Sequence, residues 1–76
     1  MEKVTVYSKE RCVQCAATER ALGKYGVKYE VVMLEEHPEE LDRLISEGYT
    51  AAPIVETENG TWSGYRPDRI ENIDNS

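Results

Sequence analysis

The apolar residues change period at Cys12. Upstream, Val4-Thr5-Val6-Tyr7 alternates and is rich in β-branched side chains, the pattern of a strand. Downstream, Cys15, Thr18, Leu22 and Tyr25 recur at helical spacing, and Ala16, Ala17 and Ala21 favour helix. Only the polar loop Ser8 to Arg11 separates the two. A second strand follows at Tyr29 to Leu34, with Val31 to Leu34 continuously apolar as in a buried parallel strand. A β-α-β unit crosses over right-handed, so these two strands must run parallel in one sheet.

Punctuation in the rest of the chain extends the order. Gly26 suits the residue just past the first helix, while Gly23 within it costs about 1 kcal/mol relative to Ala. Pro38 suits the first position of a second helix, and Glu39 and Glu40 fall in its first turn, where the helix dipole favours acids. Leu41, Leu44 and Ile45 supply its apolar face and Gly48 ends it. Ile54-Val55 and Thr61-Trp62 read as short strands flanking Asn59-Gly60, a type I′ hairpin signal. Pro67 opens a last helix, with Ile70 and Ile73 directed inward. The order β-α-β-α-β-β-α predicts an α/β fold, a four-stranded mixed sheet with three helices. At 76 residues, positions 1–76 form one domain with a thin stability margin.

Composition excludes several classes of function. A net charge of −6 argues against nucleic acid and anionic membrane surfaces as partners. No stretch approaches the ~20 apolar residues of a membrane span. The first residues lead straight into a strand without the apolar core of a signal peptide, so a cytoplasmic location is expected. Monomer is the default at this size and charge. In a reducing compartment a close cysteine pair is catalytic or metal-binding more often than a structural staple.

Cys12 and Cys15 are the chain's two cysteines. Their spacing brings both sulfurs to the first turn of the helix, at the carboxyl end of strand one, the edge where open α/β sheets build sites. Free cysteine titrates near pH ~8.5, and a helix N-terminus or nearby cations lower that value. Cys12 would receive the unpaired N–H groups of the helix start, with Lys9 and Arg11 adding positive charge. Cys15, one turn in and more buried, suits a resolving thiol. Cys12 would attack a substrate disulfide, and Cys15 would then displace the product and close the Cys12–Cys15 disulfide. Competing readings are a chance pairing or half of a zinc site, but zinc wants four ligands and the chain offers two Cys and His37. His37, before Pro38, reads as a solvated helix cap. Glu35, Glu36, Glu39, Glu40 and Asp42 read as a solvated helix face.

With Cys12-Val13-Gln14-Cys15 and Trp62-Ser63-Gly64-Tyr65-Arg66-Pro67-Asp68 both in view, the chain resembles the NrdH-redoxins, glutaredoxin-like proteins of the thioredoxin fold. Tyr65 stands where Phe is also common. The resemblance covers nearly the whole chain and implies a cis bond at Ala52–Pro53 facing the cysteine pair, against about 5% for X–Pro bonds generally. Ala52 would then offer its backbone to an extended substrate segment as a short β-augmentation. It further implies an electron carrier that takes electrons from thioredoxin reductase, passes them to class Ib ribonucleotide reductase, and holds no cofactor beyond its redox-active disulfide.

Glutathione-binding glutaredoxins usually carry a Gly-Gly turn followed by acids that hold the tripeptide's amino group. The corresponding stretch here is Ser63-Gly64-Tyr65-Arg66, where Arg66 would repel an amine and Asp68 favours the dipole of the last helix. Trp62 and Tyr65 would offer apolar surface to the reductase, or pack the last helix on the sheet; the two readings are compatible. A glutathione-dependent glutaredoxin, a non-redox adaptor and a zinc-bridged dimer are the alternatives.

Overall fold

A computed structural model describes residues 3–73. Its elements are β1 (Thr5–Ser8), α1 (Val13–Lys24), β2 (Glu30–Met33), a 3₁₀ turn (Leu34–Glu36), α2 (Pro38–Ser46), β3 (Ile54–Thr57), β4 (Gly60–Ser63) and α3 (Pro67–Glu71). The sheet order is β2-β1-β3-β4. β1 and β2 are parallel with Val6 opposite Val31, and β3 runs antiparallel to both β1 and β4. The expected element order and mixed four-stranded sheet are found.

Strand alternation divides the core between the two faces of the sheet. Val4, Val6, Val55 and Trp62 pack with Leu22 of α1 and Ile70 of α3. Tyr7 and Ile54, the neighbours of Val6 and Val55 in sequence, point the other way and pack with Leu34 and with Leu44 of α2. The sheet is thus covered by α1 and α3 on one face and by α2 on the other.

Several sequence expectations are corrected. The apolar run Val31 to Leu34 is not a buried central strand. β2 is an edge strand that ends at Met33, and Val31 is 41% exposed. Tyr25 caps α1 and is exposed. Of the residues read as the apolar face of α2, Leu44 is buried, while Leu41 and Ile45 are 36% and 49% exposed. The hairpin turns one residue earlier than the Asn-Gly signal suggests. Thr57 pairs with Gly60, so Glu58 and Asn59 are the central residues, and neither has the positive φ that type I′ requires. Thr57 explains the shift: its hydroxyl accepts the Asn59 N–H at 3.1 Å and donates to the Gly60 carbonyl at 2.8 Å, closing the turn from within.

Beside buried Leu44, a polar clamp ties α2 to the sheet. The Arg43 guanidinium donates to Glu40 at 2.9 Å, Glu47 at 3.1 Å, Glu56 of β3 at 3.3 Å and the Tyr7 hydroxyl at 3.0 Å. The Tyr7 hydroxyl has the Glu40 and Glu56 carboxylates within reach of its one proton. Burial first, then the Glu40 hydrogen bond and the neighbouring carboxylates, push its pKa well above the ordinary tyrosine range.

Candidate active site

The chain enters α1 through a tight turn in which Arg11 adopts φ 56°. This left-handed conformation is disfavoured for a residue with a Cβ. The loop is pinned from outside by Glu35, whose carboxylate accepts the Glu10 N–H at 2.8 Å and is held below its usual pKa chiefly by that bond. Glu35 is therefore more than part of a solvated acidic face, and so is Glu40 in the clamp. His37 is the exposed N-cap residue of α2, as read, although its side chain makes no capping bond and its ring lies 3.2 Å from Glu39.

Cys12 follows Arg11 as the N-cap of α1, in extended backbone conformation, and its Sγ accepts the Cys15 N–H at 3.1 Å. A sulfur does here what a Ser or Asp oxygen does at an ordinary helix start. Cys15, 2% exposed, lies one turn in, with the two Cα atoms 5.2 Å apart and the sulfurs joined in a disulfide. Val13 between them is 82% exposed, so the pair opens onto solvent past a bare apolar side chain. Lys9 and Arg11 border the same open cleft as both cysteines.

Two distant segments close around this turn. The Ala52–Pro53 peptide bond is cis. The Pro53 carbonyl accepts the Gly64 N–H at 2.7 Å, and the Ala51 carbonyl accepts the Ser63 hydroxyl at 3.3 Å. Gly64, at φ 87°, faces Gln14 closely enough that a Cβ there would stand 3.8 Å from the Gln14 side-chain oxygen. Through Gly64, the paired segments Ala51 to Pro53 and Ser63-Gly64 meet Gln14 between the two cysteines and form a rim there. Ala52 has neither its N–H nor its carbonyl paired among the described residues.

The remaining residues of the Trp62-to-Asp68 run divide in two. Trp62 is 6% exposed and sits in the core beneath α3, with the Arg69 guanidinium 5.1 Å above its ring. Its role in packing is evident, and it presents little surface to a partner. Tyr65 is 41% exposed. Arg66 donates to both oxygens of Asp68, at 3.2 and 3.0 Å. This pairing raises the pKa of Arg66 and holds that of Asp68 below the usual carboxylate range. The sequence reading treated Arg66 and Asp68 separately; the side chains engage each other. It also missed Glu19, four residues past Cys15 and so on the same helix face, whose carboxylate accepts the Ser8 hydroxyl at 3.3 Å beside the cleft.

A disulfide at the N-cap of the first helix, on a four-stranded sheet and beside a cis-proline rim, defines a dithiol redox protein of the thioredoxin-like class. The family model for glutaredoxin matches residues 4–60. The glutaredoxin-like protein NrdH of Salmonella typhimurium is 37% identical over 92% of this chain and 86% of its own length. The NrdH protein of Lactococcus lactis is 31% identical over 92% and 97% respectively. Among solved structures, the NrdH-redoxin from Escherichia coli, described for its thioredoxin-like activity profile, superposes with a TM-score of 0.93 at 34% identity, covering 97% of both chains. A glutaredoxin from Archaeoglobus fulgidus superposes with a TM-score of 0.79 at 25% identity, covering 93% of this chain and 84% of its own. The chain belongs to the NrdH-redoxins of the glutaredoxin family.

Proposed function

We propose that this protein is a dithiol electron carrier that reduces class Ib ribonucleotide reductase and is recharged by thioredoxin reductase at the expense of NADPH. Cys12 is the nucleophile. Its thiolate attacks a sulfur of the substrate disulfide, forming a mixed disulfide and releasing one substrate thiolate. Cys15 then attacks Cys12 Sγ, giving up its proton, and releases the second, leaving the substrate reduced by two electrons and Cys12–Cys15 oxidised. Lys9 and Arg11 favour the Cys12 thiolate. The unpaired backbone of Ala52, beside Pro53, receives an extended segment of the partner, and Ser63, Gly64 and Tyr65 complete the docking rim. The protein works as a cytoplasmic monomer.

The observation that carries the choice of reductant is the Arg66–Asp68 pair. Asp68 is the acid that would hold the amino group of glutathione, and both its oxygens are already taken by Arg66. An incoming ammonium would meet a carboxylate whose charge a bidentate guanidinium already balances. The alternative, a glutathione-dependent glutaredoxin, is separated by one assay. NADPH oxidation is followed with a disulfide acceptor and either thioredoxin reductase, or glutathione with glutathione reductase. Turnover is expected with the first system, and turnover confined to the second would reverse the assignment. A second arm replaces the acceptor with oxidised class Ib ribonucleotide reductase and reads deoxyribonucleotide formation.

A further inference from the structure

The cleft beside the disulfide, about 830 Å³ and open to solvent, holds one carboxylate among its lining residues, Glu19. It stands one helical turn beyond Cys15, where side chains four residues apart are neighbours. It is half-buried and anchored by the hydroxyl of Ser8, itself 2% exposed at the end of β1. The other charged and titratable groups lining the cleft, besides the cysteines, are Lys9 and Arg11 from the loop before α1, Arg20 on its own helix, and Tyr29 leading into β2. The helix start serves Cys12 through the Cys15 N–H, and Glu19 lies one turn past Cys15 on the same helix.

This arrangement answers a requirement that the dithiol alone leaves open. Cys12 is helped to ionise by the Cys15 N–H, but Cys15 is buried, and burial disfavours a thiolate. The second exchange therefore needs a proton acceptor at Cys15. We propose that Glu19, positioned by Ser8, is that acceptor. As Cys15 attacks, its proton passes to the Glu19 carboxylate, the Cys15–Cys12 bond forms, the Cys12–substrate S–S bond breaks, and the substrate leaves as a thiolate. The proton then leaves Glu19 for that thiolate or for solvent. In the recharging direction Glu19 protonates Cys15 as an upstream thiolate displaces it from Cys12.

The proposal rests on the dithiol reading above, and its test isolates one step. Reduced protein is rapidly mixed with the aromatic disulfide dithiobis(nitrobenzoate). Attack by Cys12 releases one nitrothiobenzoate at a rate proportional to reagent. Closure by Cys15 releases the second at a rate independent of reagent. Glu19→Gln keeps an oxygen for the Ser8 hydroxyl but loses the base. It should slow the second phase about a hundredfold at neutral pH, within the range of general base catalysis, and leave the first unchanged. Its second phase should also climb about tenfold per pH unit, the slope of a thiol that reacts only when already ionised, where the parent is flatter. Glu19→Asp should recover part of the rate, and Ser8→Ala should slow the second phase by a smaller factor. An unchanged or faster second phase in Glu19→Gln overturns the proposal, as does equal slowing of both phases. A parent protein with no second phase overturns the dithiol reading itself.

Discussion

Replacing Leu44 with Ala should cost this protein about 3 kcal/mol, whereas the same change at Leu41 should cost about 1 kcal/mol or less. Leu44 is the fully buried apolar side chain of α2, enclosed by Tyr7, Ile54 and Leu34, and Leu41 three residues earlier is 36% exposed. Truncating an enclosed leucine loses its transfer free energy and leaves a cavity, together roughly 2–5 kcal/mol, while truncation at an exposed site has little to lose. A domain of this size holds roughly 4–11 kcal/mol in all. Leu44→Ala should therefore lower Tm by roughly 12–24 °C at ~4–8 °C per kcal/mol. The fluorescence of buried Trp62 reads the free energies in urea unfolding and Tm in thermal unfolding. Ile45→Ala should be close to neutral, because the alanine gains a few tenths of a kcal/mol in helix propensity. The damage should also reach the redox rim. The Leu44 carbonyl accepts the Tyr49 N–H at 2.9 Å, and Tyr49 leads through Thr50 to the Ala51-Ala52 edge. Amide exchange at Tyr49 should accelerate in Leu44→Ala more than in Leu41→Ala. Equal losses at Leu41 and Leu44 would refute the reasoning, because α2 would then bury the whole apolar face that its sequence pattern outlines.

Arg66→Ala frees Asp68, and the variant should show more glutathione-dependent turnover than its parent; no gain would mean that this ion pair does not decide the reductant. In the same variant the Asp68 pKa, read by carboxyl NMR, should rise toward its ordinary value. Reduced protein treated with iodoacetamide should be alkylated first at Cys12, with an apparent pKa below the ~8.5 of a free thiol, and mass mapping that found Cys15 first would contradict the assigned roles. Tyr7 has a raised pKa in the folded state, so between the ~10 of a free tyrosine and that value the native protein holds a proton the unfolded chain has lost. Its contribution is present below pH ~10 and is lost as pH rises toward the folded-state pKa, so urea midpoints should fall above pH ~10, less steeply in Tyr7→Phe.

What the sequence made legible is mostly what is local. The switch of period at Cys12 requires only the chain on either side of it, and it placed the N-cap sulfur and the buried Cys15 on the right side of the helix start. Longer-range facts were less accessible. A run such as Val31 to Leu34 is as apolar as a central strand, but whether a strand ends in the middle of a sheet depends on where β3 inserts. It pairs with the other side of β1, and this leaves β2 at the edge with Val31 exposed. Leu41 and Ile45 were assigned to the core by spacing alone, which gives the direction of a face and not how much of it the sheet reaches. The clamp around Arg43 draws on β1, β3 and α2 together, so no window of sequence contains it.

The Trp62-to-Asp68 run shows where a motif and its physics part company. As a string it identified a family, but each residue was given a task separately: Trp62 a docking surface or the packing of the last helix, Arg66 a repulsion, Asp68 a helix dipole. In the folded chain the tasks are shared. Trp62 is buried, and with Ile70 it fixes α3 against the sheet. Gly64 reaches Pro53 through its N–H and leaves room for Gln14, where a side chain at φ 87° would be strained. Arg66, the residue before Pro67, turns back onto Asp68 in the first turn of α3. Asp68 thus still lies at the positive end of the helix, but its oxygens face a guanidinium from the same chain. On the proposed function, discrimination at this rim rests less on a missing acid than on an acid already engaged by Arg66, a feature that only the paired side chains reveal.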